Sequence, residues 1–300
     1  MKTDKNSNDF NKGDFNKGDF KISKFKTDKK LRAILVSNSN IYTGGSSGCL
    51  VDRTNNKILH KHDKSITSIK SYQDNDLVIG CTSYDCTASI IKNNSLFDII
   101  EGPDTEIKGI SINQDFIALS TRGKTVWLCK FGDFIEIDKI LEDHTEDVKG
   151  CEFYNNFLFT YGYDSTIKIY EYFEFSGSYE LVQDIFCGST IWDLKIRNFI
   201  IFVGTDNGEI IVYDLEKGFV ENIRKKLGIE PIYSLCIYKN LIVTGVNGGN
   251  LVFLDLNLEI VKIIKGVHNG DINCISYSEK DEILVTCGDD QVYCVLEEVK

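Results

Sequence analysis

The chain of 300 residues contains few prolines, methionines, tryptophans and histidines: two, one, two and four, respectively. No apolar run approaches the roughly 20 residues that a helix needs to span a bilayer. The N-terminal segment MKTDKNSNDF lacks the apolar core of a signal peptide, and its acidic residues do not suit a mitochondrial transit peptide. We therefore expect a cytoplasmic or nuclear protein whose ten cysteines are reduced thiols.

Motifs for catalysis and metal binding are also missing. The sequence has no CxxC pair, no GxSxG and no Walker loop. Its cysteines scatter along the chain, whereas the ligands of a zinc or iron–sulfur site cluster. A buried free cysteine usually serves as small apolar filler. The sequence therefore predicts a protein that is not an enzyme and that holds no metal or other cofactor.

Charge excludes a further class of partner. The net charge is −11. Because the first 30 residues contain nine lysines and five aspartates, the remainder of the chain carries −15. Proteins that bind nucleic acid through the phosphate backbone present a broad basic surface instead. We expect neither a nucleic acid nor a membrane as a direct partner.

The dominant pattern in the sequence is a repeat of about 40 residues. Short runs rich in β-branched and aromatic residues, such as DLVIG and FLFTY, each precede a tight turn. The turn centres lie 38, 38, 41, 43, 41 and 41 residues apart, at Ser47, Asp85, Gly123, Asp164, Asn207, Gly248 and Asp289. Periods of this length are typical of β-propellers built from four-stranded blades.

Seven units predict an all-β fold, a seven-bladed WD-repeat β-propeller over residues 21–300. The seventh unit ends too close to Lys300 to contain its outer strand. We therefore predict that KISKFKT, residues 21–27, supplies that strand and closes the ring. Residues 1–20 include the tandem DFNKGDFNKGDF, which has too little apolar surface to pack. They are predicted to form a disordered low-complexity tail.

Three of the four histidines follow the repeat, and they occur in the three units whose turn centre is Asp. A buried Asp needs a hydrogen-bond donor. We therefore predict three structural pairs within blades: His62 with Asp85, His144 with Asp164, and His268 with Asp289. Residues committed to such pairs are not available for catalysis in the central channel. His60 has no counterpart in the repeat and is expected to be exposed.

Several segments resemble the WD-repeat family that acts in cytosolic iron–sulfur protein assembly. They are TRGKTVW, DHTEDVKG, YDSTIKIY and GSTIWDLKI in units 3 to 5, and the last unit, GVHNGDINCISYSEKDEILVTCGDDQVYCVLEE. The resemblance extends over residues 21–300 and includes the His–Ser/Thr–Asp–Trp network of WD repeats, with Tyr170 where unit 4 usually has Trp. Unit 3 departs from the family, because Gly102-Pro103 replaces Gly-His and Arg122-Gly123 replaces Arg-Asp.

This resemblance implies a non-catalytic scaffold that helps deliver iron–sulfur clusters to cytosolic and nuclear apoproteins. The implied partners are a small adaptor protein, a large HEAT-repeat scaffold and the apoprotein clients. The alternative is a general WD-repeat adaptor, for example in a ubiquitin ligase or an RNA-processing complex. The two readings differ in the proteins that would co-purify.

Propellers bind partners on the face where turns and incoming loops converge. The residue before each turn centre, or two residues before it in unit 6, is expected there: Tyr84, Arg122 and Tyr163 as candidates beside Ser46, Asp206, Val246 and Gly288. A second ring is expected one residue after the first apolar residue of each blade: Thr67, Lys108, Lys149, Trp192, Tyr233 and Asn273. The predicted partner-binding residues are Arg122, Lys108, Lys149, Tyr84, Tyr163, Trp192 and Tyr233. Arginine and aromatic residues commonly anchor interfaces, and Arg122, at a functional position of the family, would bind a carboxylate-bearing or acidic–aromatic peptide.

Overall fold

The computed structural model describes residues 20–246 and 248–299. The described part is built of strands and turns, and it contains no helix that is long and apolar enough to cross a membrane. The predicted disordered tail, residues 1–20, lies outside the described part except for Phe20, which belongs to the first strand.

The described strands form seven antiparallel sheets of four strands each, which are the seven blades. In the first half of the chain they are β1 (Phe20–Lys26); β2 (Leu31–Ser37), β3 (Asn40–Gly45), β4 (Cys49–Asp52) and β5 (Lys57–Lys61) in blade 1; β6 (Ile66–Gln73), β7 (Leu77–Ser83), β8 (Ala88–Lys92) and β9 (Ser95–Ile100) in blade 2; and β10 (Ile107–Ile112), β11 (Phe116–Thr121), β12 (Val126–Phe131) and β13 (Ile135–Leu141) in blade 3.

The second half of the chain continues the same pattern. Its strands are β14 (Val148–Tyr154), β15 (Phe157–Gly162), β16 (Thr166–Phe173) and β17 (Ser178–Phe186) in blade 4; β18 (Ile191–Arg197), β19 (Ile200–Thr205), β20 (Glu209–Asp214) and β21 (Val220–Lys226) in blade 5; β22 (Leu235–Tyr238), β23 (Leu241–Val246), β24 (Asn250–Leu254) and β25 (Ile260–Ile264) in blade 6; and β26 (Ile272–Ser278), β27 (Ile283–Gly288) and β28 (Val292–Glu298) in blade 7.

The apolar core of the described residues is divided among seven clusters, and each cluster is shared by two neighbouring blades. Between blades 1 and 7, for example, Leu31 and Ile34 pack with Val285 and Cys287. A single four-stranded sheet leaves a large apolar face in water, and packing against the next blade removes that face from solvent. The stability of each blade therefore depends on its neighbours.

The ring is closed by β1, as the sequence predicts. Strand β1 pairs antiparallel with β28 from Phe20–Glu298 to Lys26–Val292 and forms the outer strand of blade 7. Phe20 packs 5.8 Å from Tyr238 and 5.4 Å from Phe253 of blade 6, measured between ring centroids, while Phe25 stacks on Tyr293 at 4.8 Å. Both ends of the propeller sequence are thus held in one sheet.

In blades 2 and 4, a buried histidine ties the loop that enters the blade to its own turn. In blade 4, His144 Nδ1 lies 2.7 Å from Asp164 Oδ2, and His144 Nε2 lies 2.7 Å from Thr160 Oγ1. In blade 2, His62 Nδ1 lies 3.1 Å from Asp85 Oδ2. His60 is half-buried rather than exposed, because its ring packs edge-on against His62 at 4.8 Å.

In blade 7 the partner of His268 is Asp290, and the predicted pairing with Asp289 is wrong by one residue. His268 Nδ1 lies 2.9 Å from Asp290 Oδ1, and the Asn269 amide donates to Asp290 Oδ2 at 2.9 Å. Asp289 instead accepts from Lys30 Nζ at 2.8 Å and from Asn273 Nδ2 at 2.9 Å. The cause is the Asp-Asp pair in CGDDQ: Thr286 precedes Asp290 by four residues, as Thr160 precedes Asp164.

Blade 3 lacks all three members of the His–Thr–Asp network. Pro103, Leu119 and Gly123 stand where blade 4 has His144, Thr160 and Asp164. The Gly123 amide donates to Thr105 Oγ1 at 2.8 Å, and the Trp127 indole donates to Thr125 Oγ1 at 3.0 Å. Replacing all partners together leaves none of them unsatisfied, which costs much less than removing one.

We predict that β1 is needed for stability and that the segment before it is not. Deleting residues 1–18 is expected to leave the melting temperature unchanged. Deleting residues 1–28 removes the packing of the partly buried Phe20 and Ile22 and the stacking of Phe25 on Tyr293, and is expected to lower the melting temperature by about 10 °C. Calorimetry of the two truncated proteins decides the matter, and equal melting temperatures would contradict the role of β1.

A second prediction separates Asp290 from Asp289. Asp290→Ala leaves His268 Nδ1 and two backbone amides without their acceptor, and is expected to lower the free energy of unfolding by about 2–3 kcal/mol. Asp289→Ala removes only exposed contacts and is expected to cost less than about 1 kcal/mol. Urea denaturation measures the free energy of unfolding of both variants. A larger loss for Asp289→Ala than for Asp290→Ala would instead support the pairing of His268 with Asp289.

The buried His62 predicts sensitivity to mild acid. Burial lowers the pKa of His62, although Asp85 opposes this effect. Because the folded pKa lies below the unfolded value of about 6.5, stability is fully present above that pH and is lost as the pH falls below it. We expect His62→Gln to reduce the loss in unfolding free energy between pH 7.5 and pH 5.5. Parallel pH profiles for the two proteins would refute this assignment.

Candidate functional site

The turns between the second and third strands and the loops that enter the blades lie at one face of the ring, here called the upper face. Each turn places one residue just before its centre, and these residues are Ser46, Tyr84, Arg122, Tyr163, Asp206 and Asp289. Val246 and Gly288, predicted for blades 6 and 7, instead end strands β23 and β27. In blade 7 the misplaced residue follows from the choice of Asp289 as the turn centre.

A second set of side chains surrounds the upper mouth of the central channel. In six blades the ladder between the first two strands shifts register by one residue at its start, and the extra residue points toward the channel. Tyr233 takes the equivalent position in blade 6, two residues before β22 begins at Leu235. We call this set the bulge ring: Arg32, Thr67, Lys108, Lys149, Trp192, Tyr233 and Asn273.

Sequence reasoning missed Arg32. The signal was present, because Leu31 is the first apolar residue of blade 1 and Arg32 follows it, as Lys149 follows Val148. Arg32 also stands 15 residues before the turn centre Ser47, as Lys108 and Lys149 stand 15 residues before Gly123 and Asp164. Arg32 lies with its guanidinium carbon 5.5 Å from the centre of the Tyr84 ring.

The structure brings five of the predicted partner-binding residues together. Trp192 contacts Tyr163 and Tyr233 edge to face, with centroid distances of 5.6 and 5.0 Å. Lys108 Nζ lies 4.3 Å from the centre of the Tyr163 ring, and Lys149 Nζ lies 5.4 Å from that of Trp192. Cations held over aromatic faces in this way are favourable contacts. We call these five side chains the aromatic–lysine row.

Tyr84 and Arg122 lie apart from this row. Tyr84 faces Arg32, and Arg122 Nη1 lies 3.2 Å from Glu106 Oε1. The Arg122 side chain is 61% exposed, so its ion pair with Glu106 is weak and easily exchanged for another carboxylate. The pair does not appear in a reading of the sequence, because Glu106 is contributed by the loop that enters the blade.

Charge is unevenly distributed over the upper face. Cations come from blades 1, 3 and 4, as Arg32, Lys108, Arg122 and Lys149. Near Tyr233, burial and then the negative charges of Asp271, Asp206, Glu230 and Asp289 raise the pKa of that phenol. The predicted cations thus come from blades 1, 3 and 4, whereas carboxylates of blades 5 to 7 and their connecting loops surround Tyr233.

Most of the cysteines lie in strands, whereas Cys86 lies in the turn of blade 2 and Cys187 directly follows β17. All ten are free thiols, and most are buried. Burial raises the pKa of Cys129 and of Cys236 to about 12, so both are protonated at neutral pH. Among the residues that the structure describes, no group of three or more His, Cys, Asp or Glu side chains is arranged to hold a metal ion.

Comparisons with known proteins agree with this architecture. The family model described as WD domain, G-beta repeat, matches residues 53–92 and residues 260–295. Each matched segment contains a His–Asp pair, that of His62 or that of His268. A comparison with curated proteins gives no match.

Among solved structures, the WD40 beta propeller domain of Doa1 is similar over 94% of this chain and 98% of that one, with a TM-score of 0.79 and 13% sequence identity. At this identity the likeness concerns the fold. WD40 propellers are generally non-catalytic scaffolds that bind protein partners. The chain is therefore a seven-bladed β-propeller with repeats of the WD40 family.

Proposed function

We propose that this propeller is a non-catalytic scaffold of the targeting complex that delivers iron–sulfur clusters to cytosolic and nuclear apoproteins. It would bind the small adaptor protein and the HEAT-repeat scaffold of that complex, and it would present clients through its upper face. The observation that carries the proposal is the aromatic–lysine row, which stands next to an exposed arginine on an otherwise acidic protein.

The iron–sulfur branch of this proposal is supported by where the family-like segments lie. TRGKTVW contains Arg122, DHTEDVKG contains Lys149, and YDSTIKIY begins with Tyr163. GSTIWDLKI contains Trp192. The segments that resemble the assembly family thus supply four of the seven predicted partner-binding side chains.

The chemistry of the face favours an acidic partner segment with aromatic character. Trp192, Tyr163 and Tyr233 offer apolar surface with polar edges, the type of side chain that dominates interface energetics. A partner carboxylate would replace Glu106 at Arg122 and form a bidentate pair. The proposal places the protein in the cytoplasm and the nucleus, where such clients are matured.

We predict that Arg122→Glu weakens partner binding by at least about tenfold and leaves the fold intact, because charge reversal at an exposed position sets like charges against an acidic partner. The measurement is affinity purification of the tagged full-length protein from its own cells, with quantification of bound proteins by mass spectrometry. A melting curve of the purified variant checks the fold.

Lys57→Glu is the matched control, because Lys57 is an exposed cation at the start of the outer strand β5, at the opposite end of that strand from the loop that enters blade 2. Recovery of the adaptor and the HEAT-repeat scaffold with wild type and with Lys57→Glu, and their loss with Arg122→Glu, would support the proposal. Recovery of ubiquitin-ligase or RNA-processing subunits in their place would identify a general WD-repeat adaptor. Undiminished binding by a folded Arg122→Glu protein would refute the role of Arg122.

A further inference from the structure

The upper mouth of the central channel collects positive charge in an acidic protein. The seven positions of the bulge ring all lie in the described part of the chain, and they carry three cations and no carboxylate: Arg32, Lys108 and Lys149 beside Thr67, Trp192, Tyr233 and Asn273. The chain beyond its first 30 residues has a net charge of −15. A positive ring in such a body attracts small anions rather than extended nucleic acid.

Two of these cations have no anionic partner among the described residues. Lys108 forms an ion pair with Asp147, with a distance of 2.6 Å between Nζ and Oδ2. Lys149 and Arg32, by contrast, contact aromatic rings, of Trp192 and Tyr84 respectively. Aromatic faces compensate a cation only in part, and both charges remain available to a ligand.

The environment of Lys149 makes its positive charge costly. The side chain is half-buried. Burial lowers the pKa of the Lys149 amine; Asp193 opposes this effect, whereas the positive charges of Lys108 and Arg32 add to it. The three cations therefore act on one another across the mouth. An anion bound between them would relieve the repulsion and replace the lost hydration.

Below the ring, the channel provides space for a small ligand. The cavity has a volume of about 330 Å³, and it is lined by the inner strands of the blades. Deeper in the channel, Lys70 Nζ lies 2.9 Å from Glu152 Oε2, and Lys195 Nζ lies 2.6 Å from Asp193 Oδ1. These two carboxylates are thus each paired with a lysine of their own, and they offset the charge of the ring above only in part.

From this geometry we propose that the mouth of the channel is a binding site for a small phosphate-class anion, held by Arg32, Lys108 and Lys149. A planar guanidinium binds phosphate oxygens in pairs, while lysines act as point charges. Cations from three blades match an anion that carries several charges, whereas a single carboxylate would leave some of them unpaired. The site shares Lys108 and Lys149 with the aromatic–lysine row but does not include Arg122.

The test uses inorganic pyrophosphate as the probe and isothermal titration calorimetry of the full chain at low salt. We expect saturable binding to wild type with one site per chain and an affinity that falls as sodium chloride is added. Lys149→Met and Arg32→Met are each expected to weaken binding at least tenfold. Lys149→Met removes a desolvated charge while keeping the length of the side chain, so its melting temperature should not fall.

Lys61→Met is the control for a loss of one positive charge outside the channel, and it should bind as wild type does. Absence of pyrophosphate binding, an equal loss with Lys61→Met, or full binding by both channel variants would overturn the site. Citrate binding as tight as that of pyrophosphate would overturn its phosphate class. Arg122→Glu should retain pyrophosphate binding even where it loses protein partners, so the failure of one proposal is distinguishable from that of the other.

Discussion

Packing of each blade against the next is the constraint on which the rest of this structure depends. Each sheet has four strands and a large apolar face, and the seven core clusters of the described residues lie at the seven seams between blades. Such a ring is stable only when it is complete, because an open end would expose the faces of two blades. Strand β1 closes the ring by pairing with β28, so that backbone hydrogen bonds join the two ends of the propeller sequence.

The same ring geometry creates the candidate sites. The inner strands meet around an axis, and in six blades a one-residue shift at the start of the strand turns a side chain toward the channel. Residues as far apart in sequence as Arg32 and Lys149 thereby act on one another electrostatically. At the same mouth, Trp192 joins tyrosines of blades 4 and 6 into one surface. Neither site exists within a single repeat.

The blades differ in the hydrogen bonds that stabilise their turns, and the residues that form these bonds are retained or replaced together. Blades 2, 4 and 7 retain a buried histidine with its aspartate. Blade 3 replaces histidine, threonine and aspartate together, and its turn amide uses Thr105 instead. This pattern follows from the cost of a buried polar group without a partner, which makes the loss of one member worse than the loss of all. A turn freed from this network can carry Arg122 next to a glycine.

The sequence by itself determined the number of blades, the strand that closes the ring, and most members of both rings, because these features repeat at a readable period. It placed His268 beside the wrong aspartate, because two adjacent aspartates fit the period of the turns and the four-residue spacing from Thr286 to Asp290 was not used to choose between them. It could not supply the partners of the side chains, such as Glu106 for Arg122 or Asp147 for Lys108. These partners depend on which loops the closed ring brings together, and only the tertiary structure decided them. The same holds for Arg32 and Lys149, which the closed ring leaves without an ion pair among the described residues.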